Sequence, residues 1–125
     1  MGQILAIALG GALGSVARFM TSQGVHAWLG KSFPYGTLTV NVAGSLLFGL
    51  LYVLLLERMN VAAEWRAFLM VGFLGAFTTF STFSMETLNL LLNGAYLKGL
   101  GNAVLNVVLC VLAAWLGVML ARQWS

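Results

Sequence analysis

The residues Gly72-Phe73-Leu74-Gly75-Ala76-Phe77-Thr78-Thr79-Phe80-Ser81-Thr82-Phe83-Ser84 lie inside an apolar run, Ala67 to Leu97, that carries one charge, Glu86. As one continuous helix, that run would extend about 46 Å. A hydrocarbon core is only about 30 Å thick. Its middle is also poor helix material, because glycine alternates there with β-branched, aromatic and hydroxyl side chains. These residues predict a discontinuous helix, broken near residues 75–79. Irregular backbone at membrane depth survives only where it is buried in protein or lines a cavity.

Composition supports a membrane setting. Of 125 residues, 61% are apolar and 7% charged, and mean hydropathy is +0.97. Soluble domains carry about 25% charge. A soluble enzyme, a disordered chain and a secreted disulfide scaffold are therefore excluded. The net charge of +3 comes from scattered cations that read as juxtamembrane anchors, not as a nucleic-acid groove. One cysteine, Cys110, allows no intrachain disulfide and no zinc cluster. His26, the one histidine, reads as a surface residue in a connecting stretch.

Four spans are expected, at about residues 3–22, 36–56, 67–92 and 99–121 of a single all-α membrane domain. The first is not expected to be a cleaved leader, since no basic residue precedes it and Arg18 follows. Ala6 argues against myristoylation. Phe33-Pro34-Tyr35-Gly36 is a turn signal before the second span. Trp115 and Trp124 suit an interfacial belt.

With four spans, Arg58, Arg66 and Arg122 fall on one side and Arg18, Lys31 and Lys98 on the other. Orientation bias nearly vanishes. Either the chain inserts both ways and pairs with an inverted copy, or one orientation wins weakly. The Gly10/Gly14 pair, with Gly44 and Gly49, favours a tightly packed homodimer.

Catalytic chemistry finds no support. Glu57 and Glu64 belong to a solvated loop, and Glu86 has no histidine or second carboxylate near it in sequence. The spans instead carry neutral donors. Thr37, Asn41 and Ser45 share one helix face, and Asn102, Asn106 and Cys110 share another. Such stripes serve either as interhelical glue or as the lining of a path that conducts a small anion. Phe80 and Phe83 offer positive ring edges, although Phe73, Phe77, Phe80 and Phe83 also form a stripe that reads as packing.

At these residues the sequence resembles the Fluc (CrcB) family of bacterial fluoride channels over essentially the whole chain. The matching motifs are Gly10-Gly11-Ala12-Leu13-Gly14 with Arg18-Phe19, Gly36-Thr37-Leu38-Thr39-Val40-Asn41-Val42-Ala43-Gly44, and the 72–84 stretch followed by Glu86. The resemblance implies an antiparallel, dual-topology homodimer with two fluoride pores in the bacterial inner membrane. It implies a structural sodium ion (Na+) at the dimer centre, held by backbone carbonyls of Gly75 and Thr78. It places Asn41, Phe80, Ser81, Thr82 and Phe83 on the ion pathway, with Asn106 plausible beside Asn102 and Cys110. Arg18 and Glu86 take structural or vestibule roles. Ala76 departs from the second glycine of many relatives.

The expected function is passive export of fluoride for resistance, with no enzymatic activity and no partner beyond lipid and a second copy. Two alternatives are a small four-span multidrug exporter and a non-transporting assembly subunit. The first would want a carboxylate in the first span, where none stands. The second leaves the paired phenylalanines beside the break unaccounted for.

Overall fold

The computed structural model describes residues 1–124. The chain is all helix: α1 (Gly2–Leu29), α2 (Tyr35–Arg58), α3 (63–77), α4 (Ser81–Leu92) and α5 (Tyr96–Trp124). Taken as Gly2–Leu29, Tyr35–Arg58, Ala63–Leu92 and Tyr96–Trp124, four segments are long and apolar enough to cross a membrane. The helices outrun the apolar spans expected from sequence, because residues 23–29 and 96–98 stay helical beyond the apolar stretch.

Two pieces wind more loosely than an α-helix. Tyr52–Arg58 of α2 and Ala67–Leu74 of α3 are π-helical. The Met59 N–H, for example, reaches back to the Leu54 carbonyl at 2.8 Å. Turns of this kind collect at functional sites. The second of them leads directly into the interruption of the third segment.

That interruption falls slightly later than Gly75. Gly75 keeps helical angles (φ −60°, ψ −36°), whereas Thr78 is extended (φ −83°, ψ 157°). Helix resumes at Ser81. The delay has a local cause: the Thr78 N–H and Oγ1 both donate to the Leu74 carbonyl, at 3.1 and 3.0 Å. This closes one more turn before the chain straightens.

Two helix pairs dominate the packing, α2 with α5 and α1 with α3. Glycines set both distances. A β-carbon at Gly49 would collide with the Ala114 carbonyl, and one at Gly117 with the Leu46 carbonyl. Gly10 and Gly14 lie in the same way against the carbonyls of Phe68 and Phe73, and Gly44 receives the Thr78 methyl. This corrects the expected use of these glycines. They seat helices of the same chain rather than a second copy, because the close approach they permit is already filled from within.

The largest fully buried side chains among the described residues are Val40, Val53, Leu74 and Asn102. Much of the outward surface of α1 and α5 is exposed Leu, Val, Ile and Met, as lipid or another apolar surface requires. Glu57 stands in the last turn of α2, not in a loop, and pairs with Arg122 at 3.5 Å. An exposed pair of this kind contributes about 0–1 kcal/mol.

Candidate functional site

The interruption is held by side chains from two other helices. From α2, the Asn41 amide clasps the Thr79 peptide. Its Oδ1 accepts the Thr79 N–H at 2.8 Å, and its Nδ2 donates to the Thr79 carbonyl at 3.0 Å. The same Nδ2 donates to Asn106 Oδ1 on α5 at 3.1 Å. From α1, Arg18 Nε donates to the Ala76 carbonyl at 2.9 Å.

A chain of neutral hydrogen bonds runs outward from this clasp. Asn106 Nδ2 reaches both the Asn102 carbonyl (2.9 Å) and Asn102 Oδ1 (3.0 Å). Asn102 Nδ2 donates to Thr87 Oγ1 on α4 at 2.9 Å. On the other side Thr79 Oγ1 accepts the Thr82 N–H at 3.2 Å and lies 3.0 Å from Thr82 Oγ1. Asn102 is 0% and Asn106 5% exposed, and buried amides at that depth must be paired. The polar stripes of α2 and α5 thus meet at Asn41 and Asn106.

A cavity of about 400 Å³ opens beside this network, with Asn41, Ser45, Phe80, Phe83, Asn106 and Cys110 among its walls. The aromatic stripe divides in two. Phe73 and Phe77 stack in parallel at 5.9 Å, with Phe77 buried in the core. Phe80 and Phe83 are tilted by 51° at 5.4 Å and wall the cavity. Phe83 is buried, whereas Phe80 is 77% exposed.

The remaining expected residues separate. Thr82 joins the network through Thr79. Ser81 is exposed on the first turn of α4 and does not line the cavity. Thr37 is buried at 3% exposure, away from the cavity wall. Glu86 borders a second cavity of about 270 Å³ with His26, Lys31, Asn89 and Asn93. Its Oε1 is buried without a hydrogen-bond partner.

The sequence reading missed three participants. His26 is not an idle surface residue: its Nε2 accepts the Gly36 N–H at 3.0 Å and so caps a free donor at the start of α2. An accepting Nε2 leaves the ring proton on Nδ1. Thr87 anchors the outer end of the asparagine ladder. Thr79, not only its neighbours, is the residue that Asn41 holds. Thr87 sits one helical turn beyond Phe83 and was findable by spacing, while nothing in sequence marks the His26 cap.

The backbone at the interruption has an uneven distribution of partners. Thr78 donates to Leu74, Arg18 takes the Ala76 carbonyl and Asn41 takes Thr79. None of these bonds reaches the carbonyls of Gly75 or Thr78. Among the described residues no group of three His, Cys, Asp or Glu side chains is placed to hold a metal ion. A cation at this point would be held by backbone oxygens.

Comparison with known proteins gives a consistent picture. The family model described as "CrcB-like protein, Camphor Resistance (CrcB)" matches residues 5–118. A protein of Methylococcus capsulatus named fluoride-specific ion channel FluC is 56% identical over 120 residues, 96% of this chain. The chain spans about half of that relative's length, 53%. Proteins of the same name from Magnetococcus marinus and Hydrogenovibrio crunogenus are 52% and 46% identical. Here 96% and 98% of this chain align with 98% and 92% of those proteins. With a family match over nearly its full length and these relatives beside it, the chain belongs to the CrcB-like family.

Proposed function

We propose that this chain is the subunit of a passive, fluoride-selective channel of the bacterial inner membrane. The observation that carries the reading is the joining of Asn41, Thr79 and Asn106 into one polar, internally hydrogen-bonded wall, beside the Phe80–Phe83 pair, at a helix interruption. The relatives named fluoride-specific ion channels supply the ion. Hydroxyl and amide groups replace the water of a small anion without binding it too tightly to leave. Phenylalanine ring edges add weak positive potential.

Passive conduction suffices for resistance. Hydrogen fluoride crosses lipid as a neutral acid and dissociates at the higher internal pH. The membrane potential then drives the trapped anion out through a pore. No catalytic group is required.

The finer architecture in this reading is an antiparallel, dual-topology homodimer with the interruption at membrane depth. Two observations favour it. Phe80 is 77% exposed in the single chain, which suits a ring that completes its site against another surface. The even split of cationic residues between the two sides fits insertion in both senses.

A structural sodium ion belongs to the same reading. The carbonyls of Gly75 and Thr78 suit a hard cation, as unwound carbonyls do at other broken membrane helices. When bound, the ion would supply positive charge that neutralises backbone oxygens left over by the interruption. The test of the functional reading is fluoride efflux from liposomes containing the purified protein, with chloride followed in parallel. Fluoride loss without chloride loss supports it, and silence from a folded protein contradicts it.

A further inference from the structure

We infer that Arg18 is the positioning residue of the helix interruption. By holding the Ala76 carbonyl it fixes the last turn of α3 so that the Gly75 and Thr78 carbonyls stay available to a cation. The inference rests on the sodium reading above and adds a residue from a different helix to it.

The argument begins with register. Gly10, Gly14 and Arg18 stand at i, i+4 and i+8, on one face of α1. Their opposite numbers on α3 advance in step: Phe68 against Gly10, Phe73 against Gly14 and Ala76 against Arg18. The two glycine notches bring the helix backbones together. The third position on the same line then delivers a donor where the ladder of α3 runs out.

A helix end leaves its last carbonyls without intrahelical partners. In α3 the Leu74 carbonyl takes two bonds from Thr78. The Ala76 carbonyl takes Arg18 at 2.9 Å. Arg18 thus removes one acceptor from those exposed by the interruption and ties the turn that carries it to α1. Donation comes from Nε, at the base of the planar guanidinium, so the bond direction is set by a short, stiff part of the side chain.

Charge alone predicts the opposite effect. A guanidinium near a cation site repels the cation, so its removal would tighten sodium binding. Positioning predicts weaker binding when the donor is lost, since partners behind a metal's ligands typically carry about 10–100-fold in affinity. The sign of the change separates the two.

The experiment follows thermal unfolding of the purified, detergent-solubilised protein by tryptophan fluorescence during sodium titration, with choline as replacement cation. The wild type is expected to gain stability with sodium, and Arg18→Gln to need roughly tenfold more sodium for half the gain. A glutamine variant with unchanged or tighter sodium response overturns the inference and leaves the sodium reading standing. A wild type indifferent to sodium overturns the sodium reading, and this inference with it. If Arg18→Gln does not assemble, Arg18→Lys serves. It keeps the charge but replaces the fixed Nε–H by a flexible ammonium, and a sodium response equal to wild type overturns the inference.

Discussion

Asn41 holds the Thr79 peptide by both of its polar atoms, accepting its N–H at 2.8 Å and donating to its carbonyl at 3.0 Å. A single amide therefore satisfies backbone that helix breakage has left open. It also joins α2 to the interruption and, through Asn106, to α5. The pairing fixes the amide's orientation, since only Oδ1 can face an N–H donor.

Asn41→Asp tests this clasp and the path together. Aspartate still accepts from Thr79 but loses both donations, so the Thr79 carbonyl and Asn106 Oδ1 lose their partner. Each orphaned group costs about 1–3 kcal/mol, and a carboxylate also repels an anion. Fluoride efflux is expected to fall by roughly tenfold or more, the equivalent of about 1.4 kcal/mol in barrier. Unchanged efflux from a folded protein would remove Asn41 from the pathway.

Phe80→Ile separates ring electrostatics from bulk. Phe80 is 77% exposed in the single chain, so its loss costs little in the folding of one chain, and isoleucine keeps bulk for any surface it meets. Isoleucine keeps apolar volume and loses the ring edge, a contact of about 1 kcal/mol. Efflux is expected to slow by roughly fivefold, with the melting temperature unchanged. Wild-type rates would reduce this phenylalanine to packing.

Gly14→Ala is expected to destabilise the chain itself. Its β-carbon would collide with the Phe73 carbonyl, a backbone atom that cannot step aside, and such overpacking costs about 1–3 kcal/mol. Gly24→Ala, with nothing within 4 Å, is expected to gain about 0.5–1 kcal/mol from helix propensity. Thermal unfolding at several protein concentrations makes the comparison. Because the Gly14 contact lies within one chain, its penalty is expected to be independent of concentration. A penalty that vanishes on dilution would return Gly14 to an interface between copies.

His26→Phe removes an acceptor from the start of α2 while keeping a ring of similar shape. Losing such a cap costs about 0.5–2 kcal/mol. Amide hydrogen exchange at Gly36 is expected to quicken, with a lower melting temperature. Exchange at the wild-type rate would show that the His26–Gly36 bond contributes nothing in solution.

Much of the helical layout was readable from residue type alone. Length and hydropathy mark the four apolar segments, and Thr78-Thr79-Phe80 in a long apolar run marks where helical bonding stops. The i, i+4 spacing of Asn41 with Ser45, and of Asn102 with Asn106, gives two polar faces. That Asn41 and Asn106 face each other depends on how α2 crosses α5, which is set by Gly49 and Gly117 at a distance. Periodicity within one helix carries no such information. The same holds for Gly10 and Gly14, whose spacing announces close approach without naming the neighbour. The π-helical turns at Ala67–Leu74 and the His26 cap are tertiary choices with no local signature.

Direct transport tests the central claim. Purified protein in liposomes, with valinomycin and potassium balancing charge, is followed by fluoride and chloride electrodes. Rapid, voltage-driven fluoride loss that needs no proton gradient, with chloride retained, is the predicted result. Loss of both halides, or retention of fluoride by a folded and correctly assembled protein, would contradict it.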